Sequence, residues 1–378
     1  MKAKSIKGKS AEEIRIELDN SLSDGFKPTL AIVFISVTQE WEAVRDLLDK
    51  EKIVIFGATT ATEFTEQGVG EKGIVILLLN LNSSYFKVIL NEIEKDSGIE
   101  SGNQIAEVGI TTFSNPAFII SGAHMETPVE LIVKGILEKS GIDIIIAGGM
   151  CGSIETFEGT VFTNKSSSSM GMLSLILDRD KVDVKGIAVS GWKPVGTEKT
   201  ITKCIGPWVH TIDNKPAMDV IQKYIGGEIM EDDDSEKIIR LNSTYPLQIK
   251  RKSGGPAMRP TLLFNKENKS VFVGGPINQG DVFRFSLPPD FEVIETVIKS
   301  AQDIKETELP DADAMIVFSC VGRLESLGPM ASKEIEGLAE TWGKPMAGFF
   351  SLGEFGRVDG GIPEFHGTTC SWVALKEK

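Results

Sequence analysis

Two side chains near the C-terminus have types and positions suited to binding a free amino acid. Glu354 lies in a glycine-rich turn at the end of a predicted strand, and Arg323 stands at the end of another. Ligands in open α/β sheets usually bind at such strand ends. A carboxylate there could hold an ammonium group, and a guanidinium could bind a carboxylate through two parallel hydrogen bonds. The hydroxyls of Thr59, Thr60 or Thr369 could complete the site.

These candidates also have structural interpretations. Glu354 and Arg323 could instead pair with each other or cap turns. His366, beside a predicted strand, and Cys320, at a strand end beside Gly322, are further candidate ligand contacts. His366 could bond a ligand, or it could simply pin the glycine-rich turn. For Cys320 a buried, inert thiol is favoured, because no neighbour in the sequence would lower its pKa.

Glu63 occupies the same place in a second stretch of sequence. Residues 57–64 and 348–355 both read Gly-x5-Glu-Phe. A shared origin predicts that Glu63 and Glu354 lie at equivalent strand ends and face one cleft, where they could act as acid and base if the chain is an enzyme. A weaker third copy begins at Phe118, and in it Glu155 follows a glycine by the same six positions.

The elements around these glutamates repeat the order strand, helix, strand, loop, strand. Continuous apolar runs such as Leu30–Val37 indicate strands that are covered on both faces. The two loops of the repeat are predicted at Gly57–Gly73 and Ser351–Gly367. The expected fold class is therefore α/β, with two mixed-sheet halves and an internal repeat. The acidic run Glu231–Asp234 is the best linker candidate, which gives predicted domains at 28–228 and 240–375.

Composition excludes several classes of protein. At roughly 100–200 residues per domain, 378 residues suggest two or three domains. The net charge of −14 disfavours binding to nucleic acid and to anionic membranes. Four scattered cysteines do not make a disulfide framework, and neither a signal peptide nor a membrane span is recognisable. We expect a cytoplasmic protein.

The common catalytic and cofactor motifs are missing or lack their context. A literal GxGxxG at Gly68, Gly70 and Gly73 is followed by an apolar strand, whereas a dinucleotide site needs a helix there, so it is interpreted as a turn. No Walker A lysine motif and no GxSxG elbow occur. The three histidines have no metal-binding spacing. No catalytic residue, metal site or required cofactor is therefore predicted.

The order of several short segments resembles one known family, the FIST proteins. In the C-terminal half, the segments that resemble the family are Phe318–Arg323, Gly348–Glu354 and Phe365–Cys370. In the N-terminal half, they are Ile55–Glu63, Ala147–Gly149, Gly191–Gly196 and Pro216–Met218. The resemblance covers about residues 28–375, with a FIST N-like and a FIST C-like domain. Two positions depart from the family pattern: Ser190 replaces an expected histidine before Gly-Trp, and Gly367 replaces an expected asparagine.

The resemblance implies an intracellular sensory protein that binds a small ligand, such as an amino acid, in a cleft and signals to a separate output protein. That partner would be a histidine kinase, a cyclic-nucleotide enzyme or a chemotaxis receptor. Some relatives are linked to haem and nitric oxide, so a haem-based gas sensor using His366, His124 or Cys370 is one alternative. An enzyme acting on a small amine or acid is the other. The residues expected to contact the ligand are Arg323, Glu354, His366, Thr369, Glu63, Thr60 and Cys320.

Overall fold

The computed structural model describes residues 1–70, 72–94, 96–124, 127–225 and 243–378. The predicted linker at Glu231–Asp234 lies outside the described residues. The described elements form three units of similar topology and one insert in the third unit. We call them unit 1 (2–80), unit 2 (86–178), unit 3 (182–377) and the insert (194–286).

The elements of unit 1 are β1 (Lys2–Gly8), α1 (Ala11–Leu22), β2 (Leu30–Ser36), α2 (Trp41–Lys50), β3 (Val54–Thr60), β4 (Glu63–Thr65), β5 (Gly68–Val69) and β6 (Ile74–Asn80). Those of unit 2 are β7 (Phe86–Glu92), α3 (Gly98–Thr112), β8 (Pro116–Gly122), α4 (Val129–Ser140), β9 (Ile145–Met150), β10 (Val161–Phe162), β11 (Ser167–Ser168) and β12 (Gly171–Asp178).

Unit 3 begins with β13 (Val182–Val189) and is then interrupted by the insert. The elements of the insert are β14 (Pro194–Ile205), β15 (Trp208–Ile212), β16 (Lys215–Pro216), α5 (Ala217–Ile225), β17 (Leu247–Ile249), β18 (Ala257–Arg259), β19 (Thr261–Asn265), β20 (Ser270–Val273) and β21 (Val282–Ser286). Unit 3 resumes with α6 (Phe291–Thr307), β22 (Ala314–Cys320), α7 (Val321–Leu327), a 3₁₀ turn (Gly328–Met330), α8 (Ala331–Trp342), β23 (Met346–Ser351), β24 (Glu354–Arg357), β25 (Pro363–His366) and β26 (Cys370–Glu377).

Each unit builds a mixed sheet with the same strand order. In unit 1 the order is β1-β6-β2-β3, where only the β2–β3 pair is parallel. Units 2 and 3 repeat it as β7-β12-β8-β9 and β13-β26-β22-β23. The predicted α/β class with mixed sheets and an internal repeat is therefore confirmed, and the repeat has three copies.

Each sheet is completed by a short hairpin that belongs to another unit. The hairpin β4–β5 of unit 1 pairs with β23 of unit 3, β10–β11 of unit 2 pairs with β3 of unit 1, and β24–β25 of unit 3 pairs with β9 of unit 2. These three segments, which we call the exchanged hairpins, bring the sheet of each unit to six strands. The prediction of plain loops at Gly57–Gly73 and Ser351–Gly367 was wrong, because two of the hairpins lie there.

The repeated glycine of the Gly-x5-Glu-Phe pattern makes room for the exchange. A Cβ atom on Gly57 would lie 2.3 Å from the ring of Phe162, and one on Gly348 would lie 2.2 Å from the ring of Phe64. Each glycine thus accepts a phenylalanine from a different unit. The Gly-x5-Glu-Phe pattern lies within the sequence of one unit, but its glycine packs against a side chain of another unit.

The three sheets share one core, and the helices cover their outer faces. Side chains from all three units pack together at the centre, where the ring centroids of Phe34 and Phe349 are 4.7 Å apart. Separate outer clusters form under α1 and α2, under α3 and α4, and under α6 and α8. Every residue of Leu30–Ser36 is buried, as expected for a strand covered on both faces.

The insert is an antiparallel sheet with α5 packed on it and with its own core. It enters the chain between β13 and α6, so both of its ends join unit 3. Among the described residues, no helix combines the length and the apolar character needed to cross a bilayer.

The predicted domains 28–228 and 240–375 exchange strands, which leads to a testable prediction. Separated chains 1–228 and 240–378 should each lack a cooperative thermal unfolding transition, because the exchanged hairpins, β13 and the central core lose their partners. Co-expression should restore a complex that co-purifies and unfolds cooperatively. A cooperative transition of 1–228 alone, with the near-ultraviolet circular dichroism of a packed core, would contradict this interdependence.

Candidate functional site

Glu354 stands where the chain leaves the sheet of unit 3 and enters the sheet of unit 2. Its carboxylate accepts hydrogen bonds from Ser351 Oγ at 2.6 Å, Thr369 Oγ1 at 2.8 Å and the Thr369 backbone N–H at 3.2 Å. The residue is completely buried. Burial raises the pKa of Glu354 to about 8, against the opposing effect of its hydrogen bonds. We call Ser351, Glu354 and Thr369 the Glu354 clamp, because it ties the base of an exchanged hairpin to its own unit.

Glu63 forms the equivalent group in unit 1. It accepts hydrogen bonds from Thr60 Oγ1 at 2.6 Å and from the Gly73 backbone N–H at 3.2 Å. Thr60 ends β3 as Ser351 ends β23, so the two clamps have the same construction. Burial raises the pKa of Glu63 to about 7. The structure thus brings Thr60 to Glu63 and Thr369 to Glu354, and the described hydrogen bonds give each carboxylate its own donors.

Unit 2 carries an apolar version of the clamp. Val161 pairs with β3 as Glu63 pairs with β23, and Cys151 follows Gly148 by the same three positions as Thr60 follows Gly57. The prediction that Glu155 is the third equivalent glutamate was wrong, because the connection in unit 2 is longer and leaves Glu155 exposed in a turn.

The thiol of Cys320 lies beside the Glu354 clamp. Burial raises its pKa well above the ordinary value, and the neighbouring Glu354 carboxylate adds to the effect. Burial also raises the pKa of Cys151, to about 12. Cys320 therefore stays protonated and has no activated thiolate.

Arg323 is bound within the protein, but its carboxylate partner is not Glu354. Its guanidinium pairs with Glu334 through Nη2 and, at 3.2 Å, through Nε. Nη1 donates to the carbonyl oxygens of Ser190 at 2.6 Å and Thr368 at 3.3 Å. A ligand carboxylate could take the guanidinium fork only if Glu334 released it.

Gln39 of unit 1 donates to two carbonyl oxygens that are equivalent in position to those bound by Arg323 in unit 3. Its Nε2 donates to the carbonyl oxygens of Lys9 at 3.1 Å and Lys72 at 2.9 Å. The strand registers show that Lys9 corresponds to Ser190 and Lys72 to Thr368. Thr368 and Lys72 even share a positive φ, of 52° and 49°. In both units the contact joins the end of the edge strand to the residues that lead into the antiparallel neighbour.

His366 lies in β25 and is buried. Its Nε2 is 3.3 Å from the carbonyl oxygen of Gly356, so Nε2 carries the hydrogen and Nδ1 carries a lone pair. Burial, followed by the charge of Arg259, lowers the pKa of His366 to about 3, which makes the ring neutral at physiological pH. Next to it, a Cβ atom on Gly367 would lie 2.6 Å from Pro260, which explains glycine at this departure from the family pattern.

The three residues named as possible haem ligands are either buried or next to a carboxylate. His366 and Cys370 are buried, and Nε2 of His124 lies 3.6 Å from the Glu158 carboxylate. Within the described ranges, no group of three or more His, Cys, Asp or Glu side chains could hold a metal ion. Haem binding stays a prediction.

A cavity of about 310 Å³ lies beside the Glu63 clamp. Both Glu63 and Gly73, the N–H donor to its carboxylate, line this space, which we call the Glu63 cavity. Its lining residues are Lys7, Gly8, Lys9, Glu13, Glu63, Gly68, Gly70, Gly73, Ile74 and Val75. The predicted turn at Gly68–Gly73 forms one wall, and a side chain on Gly68 would meet open space.

Sequence reasoning missed the two lysines of this cavity. Lys7 lies near the end of the edge strand β1, and Lys9 directly follows this strand. No ion pair joins either lysine to a carboxylate of the described residues. The glycine-rich spacing was the available signal, since it marks a wall without side chains. Grooves of about 470, 570 and 600 Å³ elsewhere are lined by none of the predicted ligand contacts.

Comparison with known proteins gives matches to two domain families that together span most of the chain. The FIST N domain matches residues 29–215, and the FIST C domain matches residues 217–357. A search of curated proteins finds no match.

The buried Glu354 carboxyl predicts a specific pH dependence of stability. Because its pKa is about 8 in the folded chain, against an ordinary 4.5, the folded chain keeps a proton that the unfolded chain loses between these values. The free energy of unfolding should therefore fall as pH rises through this window, by at most about 1.4 kcal/mol per pH unit for one group. Glu354→Gln should flatten this dependence in urea unfolding at pH 5.5, 7 and 8.5. The same slope in Glu354→Gln as in the wild type, with exposed Glu51→Gln as control, would refute the assignment.

The Arg323–Glu334 pair predicts a strong coupling between two substitutions. Arg323→Gln should lower the free energy of unfolding by about 3–5 kcal/mol, because it leaves the buried Glu334 carboxylate unpaired. Adding Glu334→Gln should recover at least half of the lost free energy of unfolding, since it removes the unpaired buried carboxylate. The exposed Lys333–Glu336 pair is the control, and Lys333→Gln should cost less than about 1 kcal/mol. If the double variant is no more stable than Arg323→Gln, the pair does not carry the effect.

Proposed function

Because the chain belongs to the FIST family, we propose that it is a cytoplasmic sensory protein that binds a small ligand, such as an amino acid, in the Glu63 cavity. FIST domains are associated with signal transduction and with the sensing of small ligands. The observation that carries the proposal is a desolvated carboxyl group on the wall of a small cavity that also contains two lysines.

The comparison of the two clamps favours Glu63 over Glu354 as the ligand contact. Glu63 accepts from one hydroxyl and one backbone N–H, and Glu354 accepts from two hydroxyls and one backbone N–H, but Glu63 lines a cavity whereas Glu354 is enclosed. A ligand ammonium group would supply Glu63 with the opposite charge that it lacks among its present partners. Such a neighbour favours the ionised carboxylate and offsets the cost of its burial.

The rest of the cavity suits the other end of an amino acid. Lys7 and Lys9 are flexible cations that could hold a ligand carboxylate as point charges. The glycines of the turn leave room for a side chain. The volume of about 310 Å³ is at the lower end of the range for small-molecule sites, which favours a ligand of amino-acid size.

The position of the cavity offers a route for a signal. Glu63 begins the exchanged hairpin that pairs with β23, so a ligand bound there would act at the junction of units 1 and 3. Binding shifts a conformational equilibrium only by the difference in affinity between its states. The output would pass to a histidine kinase, a cyclic-nucleotide enzyme or a chemotaxis receptor in trans, as the family resemblance implies.

A thermal-shift screen against free amino acids and small acids tests this proposal. A true ligand should raise the melting temperature by mass action, and calorimetry should then give its affinity. Glu63→Gln should weaken binding at least tenfold, while Glu354→Gln, which alters the matched but enclosed clamp, should leave it unchanged. Because protons compete with the ammonium group for Glu63, affinity should fall as pH decreases below about 7.

The opposite results would reject this site. Equal binding by Glu63→Gln and the wild type would remove Glu63 from the ligand contacts. Absence of any hit in a broad panel would argue against a small-ligand sensor. Chemical turnover of a hit would instead support the enzyme alternative.

A further inference from the structure

The chain contains two completely buried arginines in the described residues, and their surroundings differ. Arg323 has the Glu334 carboxylate as its partner. For Arg259, no described carboxylate lies within 4.0 Å of the guanidinium nitrogens. Burying a charge is costly unless it is paired. Arg259 therefore lacks the paired negative charge that Arg323 has, among the described residues.

The hydrogen bonds of Arg259 leave one nitrogen without a partner. Nε donates to the carbonyl oxygen of Pro276 at 3.0 Å, and Nη1 donates to those of Met258 at 3.0 Å and Phe365 at 2.8 Å. Nη2 is buried and has no acceptor among the described residues. Burial, followed by the charge of Arg251, lowers the pKa of Arg259 to about 10, so the group still carries its positive charge at neutral pH.

His366 lies next to Arg259 and has the complementary deficiency. Two hydrogen bonds join the segments that carry them. Arg259 Nη1 donates to the carbonyl oxygen of Phe365, and the Gly367 N–H donates to that of Met258 at 3.2 Å. Nδ1 of His366 is a buried acceptor, and the part of the chain that the structure describes gives it no donor. These neighbours thus present a charged donor and a neutral acceptor, neither of which has a hydrogen-bond partner in that part of the chain.

Three parts of the fold meet at this pair. Arg259 belongs to the insert, His366 to the exchanged hairpin of unit 3, and the first turn of α4 in unit 2 brings Glu130 into electrostatic range of Arg259. Burial raises the pKa of Glu130, and the nearby charge of Arg259 opposes this shift. Glu364, also within electrostatic range, is already paired with Arg251 at 2.8 Å.

We propose that Arg259 and His366 form a second ligand site, for a small oxyanion that also carries a hydroxyl hydrogen. An anionic oxygen would accept from Arg259 Nη2, and the hydroxyl of the same molecule would donate to His366 Nδ1. Phosphate and small hydroxycarboxylates share this chemistry, whereas sulfate and simple carboxylates lack the hydroxyl at neutral pH. The site is separate from the Glu63 cavity and links the insert to units 2 and 3.

Access to the site depends on the turn between β20 and β21. Gly275 in this turn has a φ of 115°, and a Cβ atom on it would lie 2.8 Å from the Arg259 side chain, so the turn covers the guanidinium closely. The anion therefore binds a conformation in which this turn has moved. By binding, it would favour that conformation of the insert over the closed one.

Calorimetry on the full chain with four anions at equal ionic strength tests the proposal. Phosphate is compared with sulfate, and glycolate with acetate, with chloride as the background salt. Phosphate or glycolate should bind at least tenfold more tightly than its matched anion without a hydroxyl, and their comparison identifies the source of the oxyanion. Binding that is equal for all four anions, or absent for all, would overturn the proposal.

Variants assign the binding to these two residues. Arg259→Gln should weaken phosphate or glycolate binding at least tenfold, whereas Arg284→Gln, an exposed arginine of the same insert, should not change it. His366→Phe should abolish the preference for the hydroxyl-bearing anion, and this result decides the matter if Arg259→Gln does not fold. Unchanged binding in Arg259→Gln, as expected if the anion lies at Lys7 and Lys9, would overturn the assignment.

Discussion

The exchange of short hairpins around a ring of three units is the constraint on which the rest of this structure depends. A hairpin of two to four residues per strand is too short to be stable alone, so each one gains its stability from the sheet of another unit. The requirement explains the glycines that accept phenylalanine rings and the buried glutamates at the hairpin bases. It also makes the central core a joint product of all three units.

This constraint changes the meaning of the polar residues that first suggest a ligand site. Arg323 and Gln39 bind equivalent carbonyl groups in different units, and Glu354 and Glu63 receive equivalent hydrogen bonds. Because these hydrogen bonds recur in units whose surroundings differ, we infer that they stabilise the fold. What differs between the copies then points to function: one clamp lines a cavity with lysines, and unit 2 has an apolar pair in its place.

Much of the fold could be predicted from the sequence because it is encoded locally. The strand Leu30–Ser36 follows from a continuous apolar run, and α1 begins after Ser10, whose hydroxyl accepts from the Glu13 N–H at 3.2 Å. The repeat was detectable from residues 57–64 and 348–355. The hairpins were not, because β4 and β24 have only three and four residues, and the strands that specify them lie more than 200 residues away in the sequence.

The sequence by itself determined the α/β class, the repeated unit, the family and the residue types available for binding, since these depend on local patterns and on the order of motifs. Only the tertiary structure decided which of those residues face a partner inside the protein and which face a cavity. Glu334 and Glu63 are both buried glutamates, but one is next to Arg323 and the other lines an open space. Charge pairing and access to a cavity depend on distances across the fold, which no local pattern specifies.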